Sequence, residues 1–145
     1  MSKLPKLNLP SICLRAKSEG GRDFVWDAVR GTFLVLTPEE WVRQHILGYL
    51  VNQLHISPQR ISLEHPVDLN GMAQRADIVV FGKDAEPEIL VECKAPDITI
   101  SEATLAQAVR YNSVVKARYI MLSNGLETTI YAIADEGRYR LIKKF

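Results

Sequence analysis

The stretch that decides the fold is Arg75-Ala76-Asp77-Ile78-Val79-Val80-Phe81-Gly82-Lys83-Asp84-Ala85-Glu86-Pro87-Glu88-Ile89-Leu90-Val91-Glu92-Cys93-Lys94. Two β-branched runs, Asp77–Phe81 and Glu88–Lys94, flank a segment of glycine, proline and charged residues. The pattern predicts two antiparallel strands joined by a turn over 82–87. Their near-continuous apolar character predicts strands covered on both faces, as at the centre of an α/β sheet. Ala95-Pro96 stops the second strand.

Working outward, Ser101 predicts the cap of a helix running to about Lys116, followed by a strand at Tyr119–Ser123. A strand, a helix and a further strand make a crossover unit, so strands 88–94 and 119–123 are expected to be parallel. Asn124-Gly125 is a hairpin turn leading to a strand at 128–132, and 138–142 reads as a last one. Upstream, Arg60 to Leu69 alternates like a strand and turns at Asn70-Gly71. Thr37-Pro38-Glu39-Glu40 is a helix start, with Thr37 as N-cap, Pro38 in the first helical position and Glu40 closing a capping box. That helix is expected to reach about His55. Phe24–Trp26 and Thr32–Leu36 predict a hairpin around Arg30-Gly31. Residues 1–21 read as an irregular lead-in, and 22–145 as a single domain. The expected fold class is α/β: a mixed β-sheet flanked by helices, with an αβββαβ order and an N-terminal β-hairpin.

Composition limits the function. A chain of 145 residues can bury a core without disulfides. An apolar fraction of 47% is that of a globular protein. No run approaches the roughly 20 apolar residues of a membrane helix, and the head is no secretory signal. Cys13 and Cys93 suggest reduced thiols and a cytoplasmic setting. The net charge of +1 leaves any DNA contact to local patches, the head Lys3, Lys6, Arg15, Lys17, Arg22 or the tail Arg138, Arg140, Lys143, Lys144. The plain reading of each patch is solubility.

The chemistry sits at one end of the expected hairpin. Glu92 and Lys94 are two apart on a strand and share a face. Asp77, placed by the pattern at the start of the preceding strand, is expected beside Glu92. Like carboxylates buried together are unfavourable unless a cation joins them. Hard oxygens in this number suit Mg²⁺, which takes one or two protein carboxylates and keeps waters and phosphates. The backbone carbonyl of Cys93 can add a neutral ligand, and Lys94 can orient a water or offset charge on a phosphate. The plain alternative is a salt-bridged strand end. Glu40 is explained by its cap, yet a helix start over the sheet can bring a third acid to the site. Gln107 and Tyr111, four apart on the second helix, share a face and can grip a phosphate or position a catalytic side chain. Their plain reading is an amphipathic edge. His45, His55 and His65 show no ligand spacing and read as surface or helix-edge residues.

Asp77, then Glu92-Cys93-Lys94, then Gln107-Ala108-Val109-Arg110-Tyr111 resembles the PD-(D/E)XK nuclease superfamily in its RecB-like Q-x-x-x-Y subtype. With Leu36–Gln44, Arg75–Val80, Val91–Pro96, Gln107–Asn112 and Ser123–Leu126, the chain is similar to the N-terminal nuclease domain of type I restriction enzyme R subunits. The resemblance spans about residues 24–133 and implies a restriction-endonuclease-like core, Mg²⁺ or Mn²⁺ as cofactor and DNA as substrate. It puts Asp77 and Glu92 at metal-ligand positions, Lys94 at the catalytic lysine, Glu40 at the first-helix acid and Gln107 and Tyr111 at the Q-x-x-x-Y pair. Alanine stands before Asp77 where the superfamily name has proline. R subunits carry a helicase motor after this domain; the 145-residue chain shows none, so translocation is not expected of it. Duplex cutting would call for a homodimer or a larger restriction-type complex. The competing expectations are a catalytically silent DNA- or protein-binding module on the same fold, and a plain structural domain.

Overall fold

The computed structural model describes residues 4–134 and 137–145; Lys3 of the basic head lies outside them. Among the described residues, two β-sheets and two α-helices form the fold, joined by short π and 3-10 turns. The first sheet is antiparallel, ordered β1 (Ala16–Glu19), β2 (Arg22–Asp27), β3 (Thr32–Val35). Helix α1 (Pro38–Gly48) follows directly. The second sheet is ordered β4 (Ile61–Leu69), β5 (Met72–Phe81), β6 (Pro87–Cys93), β7 (Tyr119–Ser123), β8 (Thr128–Ile133), β9 (Tyr139–Ile142). Helix α2 (Glu102–Val115) crosses from β6 to β7. Within this sheet the β6–β7 pair runs parallel, from Ile89↔Tyr119 to Cys93↔Ser123, and the other pairs run antiparallel. The mixed α/β sheet with its crossover helix is the one the sequence pattern predicts.

Three boundaries differ from that pattern. Strand β1 falls inside the stretch read as irregular; its four residues are all exposed, so no apolar alternation marks it. The first helix leaves α geometry at Gly48 and continues as a π turn over Tyr49–Gln53. Gly48 is where the N-terminal segment crosses, and a Cβ there would stand 2.3 Å from Ile12 Cγ2. Strand β5 begins at Met72 rather than Asp77, which places Asp77 in mid-strand. No described helix is long and apolar enough to cross a membrane.

The large sheet is packed on both faces. Ile78, Val80, Ile89, Val91 and Cys93 meet Val42, Ile46 and Leu47 of α1 and Leu50 of the π turn that follows it. Val79, Leu90, Ile120 and Leu122 meet Ala108 and Tyr111 of α2. Each such buried side chain contributes roughly 2 kcal/mol. α2 is positioned by a reciprocal cap between Ser101 and Thr104. It ends where Lys116 turns left-handed and the Asn112 side chain holds both the N–H and C=O of Ala117.

An N-terminal strap fastens the β7–β8 turn. Asn8 N–H donates to the Gly125 carbonyl at 2.8 Å, and Leu7, 5% exposed, packs on Gly125 itself. Gly125 sits at φ +85, and an added Cβ would lie 2.7 Å from Leu7 Cδ2. Gly125→Ala therefore combines a left-handed conformation with a collision, and is expected to cost about 2 kcal/mol. A urea melt followed by circular dichroism reads this; an unchanged midpoint would show that the strap does not pack as described.

Candidate active site

The β5–β6 register continues from Ile78↔Val91 to set Asp77 opposite Glu92. The Cys93 N–H donates to Asp77 Oδ2 at 2.7 Å, and the Asp77 N–H points at Glu92 Oε1 at 3.4 Å. Glu92 is buried, while Lys94 and Asp77 are half-buried. Lys94 follows the last residue of β6, and its N–H is tied to the Ser123 carbonyl at 2.8 Å.

The hairpin β4–β5 changes sides at this point. Ile61 and Leu63 pack toward α1, whereas Val67 and Leu69, at the same strand parity, pack toward α2. On β5, Ile78 and Val80 face α1 and Ala76 faces α2. The switch falls at Glu64 and Asp77, opposite each other in register, where Glu64 is held at φ 50. A bulky residue in that conformation inside a strand is strained. Its carboxylate reaches Arg43, whose Nη1 donates to Glu64 Oε1 at 2.6 Å.

Arg43 also binds Glu40. Its Nε donates to Glu40 Oε2 at 3.0 Å, its Nη2 to Oε1, and Gln44 Nε2 adds a bond at 3.1 Å. Glu40 is 8% exposed with its carboxylate fully engaged by these partners. Of the expected capping box only one half forms: Thr37 Oγ1 accepts from the Glu40 N–H at 3.0 Å, while the Glu40 side chain goes to Arg43. The neighbouring Glu39 is the first-helix acid that senses the pair, its carboxyl raised by burial and then by the charge of Asp77, with Lys94 opposing. A cavity of about 140 Å³ is lined by Thr37, Glu39, Glu40, Arg43, Glu64, Asp77 and Cys93.

Burial and mutual repulsion dominate the electrostatics. Glu92 is pushed up to about 9, first by burial and then by the charge of Asp77. Asp77 is raised by burial, against the lowering effect of the Cys93 N–H. The Cys93 thiol is pushed well up by burial, so this cysteine is a core side chain and contributes to the site through its backbone.

Gln107 and Tyr111 meet each other but not the carboxylates. Gln107 Nε2 donates to the Tyr111 hydroxyl at 3.1 Å, and that hydroxyl donates to Gln74 Oε1 at 3.3 Å. The chain ties α2 to the outer part of β5. Of the histidines, His45 is buried, with Nδ1 against the Trp41 carbonyl at 2.8 Å, contrary to its reading as a surface or edge residue. Glu39 and Glu64 join the cluster without a motif of their own; Gln74 joins the Gln107–Tyr111 chain instead. The one signal for Glu64 is an acid in mid-strand, which the alternation of β4 hides.

The residues present fit a hard divalent cation. Two carboxylates that face each other, both raised by burial, are oxygen donors in the number Mg²⁺ uses. Among the described residues no three His, Cys, Asp or Glu side chains are grouped to hold a metal by themselves.

This mixed sheet, with an acid pair meeting across β5 and β6 and a lysine one residue past β6, defines a nuclease-like domain of the restriction-endonuclease-like α/β class. The chain belongs to the family described as Type I restriction enzyme R protein N terminus (HSDR_N), whose model matches residues 38–145. Among solved structures it is similar to a protein from Anabaena variabilis ATCC 29413, described as a "putative nuclease belonging to DUF820", with 12% identity and a TM-score of 0.45 over 88% of this chain and 80% of that one. No curated protein matches the chain in sequence.

Proposed function

We propose that the chain is a metal-dependent endonuclease that hydrolyses DNA phosphodiester bonds, with Asp77, Glu92 and the Cys93 backbone carbonyl holding Mg²⁺ or Mn²⁺. The single observation that carries this reading is the meeting of half-buried Asp77 with buried Glu92 across β5 and β6, where Asp77 accepts from the Cys93 N–H and Glu92 from the Asp77 N–H. Burying two mutually repelling acids is unfavourable unless a cation joins them. When bound, the divalent ion supplies Lewis-acid stabilisation of charge developing on the phosphoryl oxygens.

The remaining roles belong to side chains. Lys94 stands next to Glu92, orients the attacking water and offsets phosphate charge. Glu39 takes the place expected of Glu40 as the acid of the first helix, because Glu40 is consumed by Arg43 and Gln44. Arg43, fixed by Glu40 and Glu64, holds the acidic wall of the cavity in shape. Gln107 and Tyr111 position the outer part of β5 through Gln74. Cutting both strands of a duplex calls for two such sites, so a homodimer or a larger restriction-type complex is part of this reading.

Calorimetric titration with Mn²⁺ tests the site without recourse to activity. One equivalent is expected to bind the wild type, and Asp77→Asn is expected to weaken binding by a factor of about 100 or more, the scale of losing one of two charged ligands. Supercoiled plasmid is expected to be nicked with Mg²⁺ or Mn²⁺ and left intact with a chelator. No Mn²⁺ uptake alongside salt-sensitive DNA binding would instead favour a silent module on the same fold.

A further inference from the structure

The β1–β2–β3 sheet lies outside the stretch that the family model matches, and its two faces differ. The inner face is fixed to α1: Val25 and Asp27 are fully buried, and Gln44 Nε2 donates to Asp27 Oδ2 at 3.2 Å. The outer face carries Phe24, Trp26 and Phe33, all half-buried, in the rows Lys17↔Phe24 and Trp26↔Phe33. Trp26 and Phe33 meet edge-on with centroids 5.1 Å apart. What covers the rings is cationic. The Arg15 guanidinium lies 4.8 Å from the Trp26 centroid and 5.3 Å from that of Phe33. The Lys17 ammonium lies 4.3 Å from Phe33 and 5.8 Å from Phe24.

An outer sheet face is satisfied by polar residues, and stability alone does not call for three rings there. Arg15, Lys17 and the exposed Arg22 outnumber the acid of that face, Glu19, which pairs with Lys17 at 3.0 Å while 70% exposed. Rings for unpaired bases and movable cations for phosphates are the two components of a single-stranded nucleic-acid platform. The platform also adjoins the cavity: Val35, paired with Phe24, ends β3 two residues before Thr37 in the cavity wall.

We propose that the outer face of β1–β2–β3 binds single-stranded nucleic acid, with bases stacking on Trp26 and Phe33 while Arg15 and Lys17 move from the rings to the phosphates. The choice of ligand class rests on the nuclease reading; the binding itself does not require cleavage.

The test is fluorescence anisotropy with a labelled oligodeoxythymidylate in the presence of a chelator, on the full chain. The wild type is expected to bind saturably and to prefer the single strand to a matched duplex. Phe33→Leu is expected to weaken binding on the order of tenfold, the loss of one stacked base. Arg15→Gln with Lys17→Gln is expected to reduce the salt slope by about 1.4, two phosphate contacts on a single strand. The charge variant lies on the exposed surface, so it carries the test even where Phe33→Leu perturbs the sheet, as circular dichroism would show. Absence of binding, variants that bind as tightly as wild type, or equal affinity for the duplex each overturn the proposal. Nicking without any effect of these variants on oligonucleotide affinity counts against the platform alone. Oligonucleotide binding without nicking counts against the cleavage reading alone.

Discussion

Lys94→Ala is expected to slow plasmid nicking by about a thousandfold or more, within the range set by removing a proton-transfer or charge-stabilising group. Lys94 stands one residue past β6, half-buried, where its charge acts on both Glu92 and Glu39. Arg43, the neighbouring cation, is committed to Glu40 and Glu64 and is not free for that role. Among the described residues the ammonium makes no ion pair, and its removal is expected to leave the melting temperature nearly unchanged. Lys94→Arg separates two functions. Arginine keeps the positive charge but does not give up a proton. Substantial activity in Lys94→Arg would mean that charge alone suffices, whereas loss comparable to alanine would assign proton transfer to the lysine. Equal nicking by wild type and Lys94→Ala would trace the activity to a contaminant and end the enzymatic reading.

Glu92→Gln is expected to abolish nicking as thoroughly and at the same time to stabilise the metal-free protein. Glu92 titrates at about 9 in the folded chain, above its ordinary 4.5. The native state therefore holds its proton more tightly than the unfolded chain does. The stability from this group is present below about pH 4.5 and is lost as pH rises through 9. Glutamine keeps the shape and never ionises. At pH 8 in a chelator the variant is expected to gain about 2 kcal/mol, well below the ceiling of roughly 1.4 kcal/mol per pKa unit because Asp77 shares the repulsion. A rise in melting temperature of about 5 °C follows. At pH 5 the two proteins should converge. Saturating Mn²⁺ is expected to raise the melting temperature of wild type and not of the variant. A variant that melts lower than wild type at pH 8 would show that the acids are structural partners rather than a strained cation site.

The core of the fold was legible because its signals are local. Apolar runs at Ile78–Phe81 and Ile89–Val91, the Ser101 cap and the Asn124-Gly125 turn each act over a few residues, and the parallel β6–β7 pair follows from the helix between them. Strand β1 was not legible, since Ala16–Glu19 is exposed throughout and is held by neighbours in β2 and by cations lying on aromatic rings. The site was legible in part. Asp77, Glu92 and Lys94 are brought together as their spacing predicts. The resemblance names Glu40 as the first-helix acid while its capping position explains it locally, and neither shows that Arg43 and Gln44 hold its carboxylate.

What the sequence determined by itself is thus the order of elements and the meeting of Asp77 with Glu92, both consequences of strand period and turn position. Tertiary structure alone decided which further acids face them. Glu64 reaches the cluster because β4 and β5 change sides at Glu64 and Asp77, and Arg43 binds both Glu40 and Glu64 across that wall. The physical reason is that period and capping are set by bonds a few residues apart. A side chain's partner in a buried charge network is set by contacts between elements distant in sequence, such as Arg43 with Glu64.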